Sequence, residues 1–137
     1  MKVHKIDDIE GIGPVYGEKL RSTGVDSVEQ LLKKGCDRKG RDELAAATGL
    51  DSHLILTWVN MADLFRVKGI GSEYAELLKK FGVDTVKELR NRHPEHLLAK
   101  MTEVNSAGRG LVRSLPALSA VQSWVQNAKE LDPMVTY

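Results

Sequence analysis

The chain reads as an all-α protein built from two copies of one helical unit, and three observations predict this. Sliding the 137-residue sequence against itself by 58 positions aligns residues 9–32 with 67–90, and eleven of those 24 positions are identical. A match of that strength at a fixed offset marks an internal repeat. Glycines, prolines and hydroxyl residues fall where helices start and stop, and no segment shows the alternation of a strand.

The elements follow in order. Helices are expected near 6–10, 14–23, 27–34, 40–48, 52–67, 72–81, 85–92, 94–104 and 117–131. Gly24 and Gly82 follow apolar-periodic runs and suit the left-handed position that ends a helix, with Val25 and Val83 supplying the apolar contact that accompanies it. New helices begin at once, because Ser27-Val28-Glu29-Gln30 and Thr85-Val86-Lys87-Glu88 both read as capping boxes. Pro14 and Pro94 fit first helical turns, where a missing N–H costs nothing. Residues 35–40 and 105–110 are rich in turn residues and are expected to be loops. Each copy closes on Trp-Val-x-x-Ala, at Trp58 to Ala62 and Trp124 to Ala128, and this offset of 66 gives the second copy eight extra residues. The copies divide the chain at residues 1–64 and 65–137. The helix through Trp58 is expected to run straight into the second copy.

Composition narrows the function classes. With 42% hydrophobic and 28% charged residues the chain can bury a core, and at 5% aromatics Trp58 and Trp124 are its largest pieces. Cys36 is the only cysteine, which excludes an intrachain disulfide and fits a reducing compartment. The first eight residues lack a signal peptide's apolar run, and no stretch reaches the roughly 18 apolar residues that span a bilayer. A cytoplasmic protein without a membrane partner is expected. Twenty basic and 19 acidic residues leave a charge of +1, so no global field draws the chain to a polyanion. Residues 1–64 hold nine Lys/Arg and eleven Asp/Glu, whereas residues 65–137 hold eleven and eight, which makes the second copy the better partner for phosphate.

The turns at Gly11-Ile12-Gly13 and Gly69-Ile70-Gly71 carry the functional question. Ile6 and Ile9 precede the first, Leu64 and Val67 the second, so each turn follows a short apolar face. The first glycine permits a backbone that other residues avoid, the isoleucine plugs the core, and the second glycine brings the backbone close to whatever lies outside. A helix starting at Pro14 or Ser72 then aims its free amides and positive dipole end at that spot, a geometry suited to an anion.

These residues resemble the helix-hairpin-helix motif of DNA repair enzymes, ligases and topoisomerases, in Gly11-Ile12-Gly13-Pro14-Val15-Tyr16-Gly17-Glu18-Lys19-Leu20 and again in Gly69-Ile70-Gly71-Ser72-Glu73-Tyr74-Ala75-Glu76-Leu77-Leu78. Extended over the capping boxes and the Trp-Val-x-x-Ala endings, the pattern resembles the bacterial family catalogued as domain of unknown function 4332. The resemblance implies tandem helix-hairpin-helix repeats of the SAM-like, five-helix type, packed as one compact pseudo-symmetric unit. It also implies binding of DNA backbone without reading sequence, with a monovalent cation at the hairpin carbonyls in some members and no other cofactor. DNA-binding members commonly carry Lys or Arg two residues after the second glycine. Val15 and Glu73 stand there instead, and a carboxylate repels phosphate.

The candidate nucleic-acid residues are therefore Lys68, Gly69, Ile70, Gly71 and Ser72, with Gly11, Ile12 and Gly13 as the weaker copy and Arg66, Lys79 and Arg109 as accessory cations. The alternative is a protein partner docked on the Tyr16/Glu18 and Tyr74/Glu76 helix faces, although matched tyrosines more often pack against the neighbouring repeat. Residues 33–41 hold five basic residues and one acidic one on an expected loop, either touching phosphate or keeping the protein soluble. Arg90, Arg92, Arg109 and Arg113 are the other cations that would extend a basic face. His93-Pro94-Glu95-His96 reads as a solvated helix start rather than a metal site. No nucleophile elbow, phosphate loop or zinc-protease helix appears, and a non-enzymatic protein is expected.

Overall fold

The computed structural model describes residues 4–9, 11–104 and 115–137. Among them the named elements are all helical: a 3-10 turn at Ile6–Asp8, then α1 (Gly13–Arg21), α2 (Val28–Gly35), α3 (Arg38–Thr48), α4 (Ser52–Leu64), α5 (Ser72–Lys79), α6 (Val86–Leu89), α7 (Pro94–Val104) and α8 (Leu118–Glu130). Among the described residues β pairing is limited to an isolated bridge between Lys5 and Ser27. The chain divides into two units, Met1–Asp63 with Met134–Tyr137, and Leu64–Pro133. The expected loop at 105–110, together with Arg109 and Arg113, lies outside the described residues.

In the first unit Ile6, Ile9 and Ile12 are all buried, and each amide of the latter two donates to the carbonyl three residues back at 3.3 Å. Gly11, at φ +93°, reverses the chain between them. Helix α1 ends where the amide of Val25 reaches back to the carbonyl of Leu20 at 3.1 Å, with Val25 buried beneath. Ser27 then caps α2 by accepting from the Gln30 amide at 3.1 Å. The return half of the expected box differs: Gln30 Oε1 accepts from the amide of Asp26, one residue earlier, at 2.6 Å.

Residues 35–40 are not a loop. Gly35 is the last residue of α2, and α3 begins at Arg38 under an Asp37 cap that accepts from the Gly40 amide at 2.8 Å. Both glycines serve close packing. A Cβ at Gly35 would fall 2.5 Å from Val59, and one at Gly40 would overlap the Lys34 carbonyl. The basic run is therefore mostly helical, and Arg41 is turned inward, 4% exposed.

The second unit repeats much of this local geometry. Leu64, Val67 and Ile70 are buried, the amides of Val67 and Ile70 each donate three residues back at 3.1 Å, and Gly69 stands at φ +94°. The amide of Val83 reaches the carbonyl of Leu78 at 3.1 Å, and Thr85 caps α6 by accepting from the Glu88 amide at 3.4 Å. Glu88 turns its carboxylate to Arg92 at 3.5 Å rather than back to the cap. Helix α4 stops at Leu64, three residues sooner than expected, because Leu64 to Val67 already belongs to the next turn. Tyr16 lies against Trp58 with ring centroids 5.3 Å apart, and Tyr74 against Trp124 at 5.0 Å, both at 52°. Each tyrosine thus packs on the tryptophan of its own unit.

Candidate nucleic-acid interface

The turn of the second unit is held from inside. Ile70 is 3% exposed, and Trp124 places its indole Nε1 3.1 Å from where a Cβ on Gly69 would be. The amide of Lys68 donates to Asn127 Oδ1 on α8 at 3.0 Å, while Lys68 itself is exposed. Outward the geometry opens. Gly71 is the N-cap of α5 in an extended conformation, no side chain caps the helix, and a Cβ there would meet nothing within 4 Å. Ser72 follows, half-buried, and Glu73 is exposed in the first turn, where a carboxylate favours the helix dipole but competes with any anion.

The first unit's turn is similar on its inner side, with Ile12 1% exposed and Trp58 Nε1 3.9 Å from a Cβ on Gly11. It diverges at the second glycine. Gly13 has φ +61° and begins α1 itself, with Ile12 as a helical N-cap. Pro14 then removes a donor that Ser72 keeps in the other copy. Val15 is 67% exposed and Tyr16 37%, so this turn presents apolar surface.

The structure therefore gathers Lys68, Gly69, Ile70, Gly71 and Ser72 into one turn, but the Ile12 and Ile70 side chains shape their turns from within the core. Arg66 is half-buried and donates to the Asp132 carbonyl at 2.7 Å, tying down the segment after α8. Lys79 is the last residue of α5, roughly 10 Å along the axis from Ser72 at 1.5 Å per residue, and so stands apart from the turn. Arg109 lies outside the described residues. Arg90 donates to the Lys129 carbonyl at 3.0 Å and serves as a brace.

His93 pairs with Glu95 at 2.9 Å and stacks on His96 with centroids 4.5 Å apart. Among the described residues no three His, Cys, Asp or Glu side chains converge as a metal set, and no helix is long and apolar enough to cross a membrane. Sequence reasoning missed Asn127 and Arg41. The first was hidden because its counterpart in the repeat, three residues after Trp58, is the apolar Met61. The second was hidden inside a run of otherwise exposed cations.

The class defined so far is an all-helical chain with two Gly-Ile-Gly turns, each closed by a tryptophan. The family model described as a domain of unknown function (DUF4332) matches residues 10–131, and the chain belongs to that family. No curated protein and no solved structure matches the chain.

Proposed function

We propose that the chain is a tandem of two helix-hairpin-helix units that acts, without catalysis and in the cytoplasm, as a sequence-independent binder of nucleic-acid backbone through residues 67–72. The carrying observation is the uncapped N-terminus of α5, open to solvent at Gly71 and flanked by exposed Lys68. Amides at a helix start favour a phosphate oxygen, and a turn fixed from inside by Trp124 and Asn127 holds them in place without prior ordering. The first turn, lacking the Pro14 donor, serves as the structural copy.

Fluorescence anisotropy with labelled duplex and single-stranded DNA at low salt tests this. About two phosphate contacts give weak binding with a log–log salt slope near −2. Lys68→Glu should abolish it and Glu73→Lys should strengthen it. Failure of either strand form to bind at low salt, or an unchanged affinity in Glu73→Lys, would overturn the reading.

A second reading rests on Val15 and Tyr16, adjacent and exposed on α1. These fit a protein partner docked on the first unit. Light scattering and affinity capture after nuclease treatment, compared between the parent and Val15→Asp, distinguish it: capture that survives the nuclease and is lost in the variant supports a protein partner.

A further inference from the structure

We propose that a cavity in the second unit, separate from the turn at residues 67–72, binds a nucleotide through its phosphate. The cavity is an open cleft of about 670 Å³ that lies against the end of α5, the connection from α6 to α7 and the first turns of α7. That volume suits a small ligand, since such sites run from about 300 to 1,000 Å³. Among the described residues its wall carries five nitrogen bases, Lys80, Arg92, His93, His96 and Lys100, and no carboxylate.

The charge pattern points to an anion. Glu88 and Glu95 stand outside the wall and pair with Arg92 at 3.5 Å and His93 at 2.9 Å. Arg92 also donates to the Phe81 carbonyl at 3.5 Å, which holds its guanidinium at the cavity edge. Lys80 and Lys100 enter the wall from different elements and make no ion pair among the described residues. A lysine at the end of α5 alone is explained by the helix dipole. Two lysines without an ion pair, set around one cavity beside an arginine that Glu88 partly neutralises, are not, and they leave a net positive wall that a phosphate would neutralise.

The remaining wall explains why the ligand carries a ring. Leu97 is buried and Phe81 half-buried, and the His93 and His96 rings, 4.5 Å apart and tilted by 32°, add aromatic surface. Positions 93, 96, 97 and 100 follow the spacing of one helical face, so imidazoles, apolar floor and Lys100 share a side. Inorganic phosphate would satisfy the cations and leave that floor wet. A nucleotide covers both, with its phosphate on Lys80, Arg92 and Lys100 and its base over Phe81 and Leu97. The ligand is either a free nucleotide or the phosphorylated end of a strand, and the two share this chemistry.

Isothermal titration calorimetry on the full chain tests the site with AMP, adenosine, inorganic phosphate and a 5′-phosphorylated oligonucleotide. AMP is expected to bind one to one, with adenosine and inorganic phosphate at least about tenfold weaker, as expected for losing either half of the contacts. Lys80→Gln with Lys100→Gln should weaken AMP by a similar factor. Both lysines are exposed, so the fold is retained, and an unchanged circular dichroism spectrum checks this. Lys68→Glu should leave AMP binding intact, which separates this site from the turn. Competition of the oligonucleotide with AMP assigns the strand end as ligand, and AMP binding without competition assigns the free nucleotide. The proposal is overturned if AMP fails to bind at millimolar concentration, if the double substitution leaves it unchanged, or if inorganic phosphate binds as well as AMP.

Discussion

Replacing Arg41 by methionine keeps most of a buried side chain's volume and removes its charge, and the consequence follows from where the guanidinium is placed. Nη1 donates to the Gly35 carbonyl at 2.9 Å and Nη2 to the Thr136 carbonyl at 2.6 Å, while the Tyr137 ring lies 6.0 Å from the guanidinium carbon. The amide of Thr136 in turn donates to the Cys36 carbonyl at 2.7 Å. Among the described residues no carboxylate pairs with Arg41, so its charge is stabilised by the two backbone carbonyls and the face of the Tyr137 ring. Hydrogen bonds to a charged partner contribute about 1.5–3 kcal/mol each, and relief of the charge's desolvation offsets part of their loss. Arg41→Met should therefore cost about 3 kcal/mol.

Removing residues 134–137 takes away one of the two acceptors beforehand, so the same substitution in the shortened chain should cost about half as much. A coupling energy of about 1.5 kcal/mol should thus appear in the double-mutant cycle. Native-state hydrogen exchange of amides in α2 and α3 measures it locally and avoids assuming that both units unfold together. Additivity within about 0.5 kcal/mol, or a neutral Arg41→Met, would refute the reasoning.

Three further outcomes follow. Gly40→Ala should destabilise the first unit by about 2 kcal/mol or more, because its Cβ meets the rigid Lys34 carbonyl; an unchanged melting temperature would contradict that contact. Gly69→Ala should cost about 1–3 kcal/mol, since φ +94° strains any side chain and Trp124 crowds it, whereas Gly71→Ala, extended and in open space, should melt within a few degrees of the parent while weakening DNA binding. Burial alone would raise the Glu29 carboxyl, but hydrogen bonds from the His4 ring, its own amide and the His4 amide, with the His4 charge, outweigh this and hold it below its usual value. A folded-state pKa depressed in this way adds stability above the unfolded value and loses it as pH falls through the folded one; Glu29→Gln should cost less than about 1 kcal/mol near neutrality, as the pair is partly exposed, and nothing at acid pH, so a pH-independent difference would argue against it.

What the sequence made legible was whatever repeats. Ile6, Ile9 and Ile12 against Leu64, Val67 and Ile70, and Val25 against Val83, announce buried positions twice, and all are buried. Residues that act once were harder. Gly35 and Gly40 look like loop residues in one dimension, yet they are glycines because Val59 and the Lys34 carbonyl come too close for a Cβ. Arg41 cannot be told from Arg38 or Lys39 until α3 is wound and one face turns inward. The cations of the second-unit cavity come from positions as far apart as 80 and 100, and no local motif joins them.

The same distinction bears on the two turns. The repeated features, a left-handed first glycine, a buried isoleucine and an indole behind the backbone, are those a tight reversal between helices requires, and they alone would make both turns structural. On the proposed reading, binding resides in what is not repeated. Pro14 against Ser72, Gly13 at φ +61° against an extended Gly71, and Met61 against Asn127 all separate the copies on the outer side or at its support. Each of these differences favours donors at the second turn, and only Glu73 opposes it. For that reason Glu73→Lys is the most informative single substitution: a binder whose second turn holds phosphate gains affinity from it, and a turn that exists solely for packing does not.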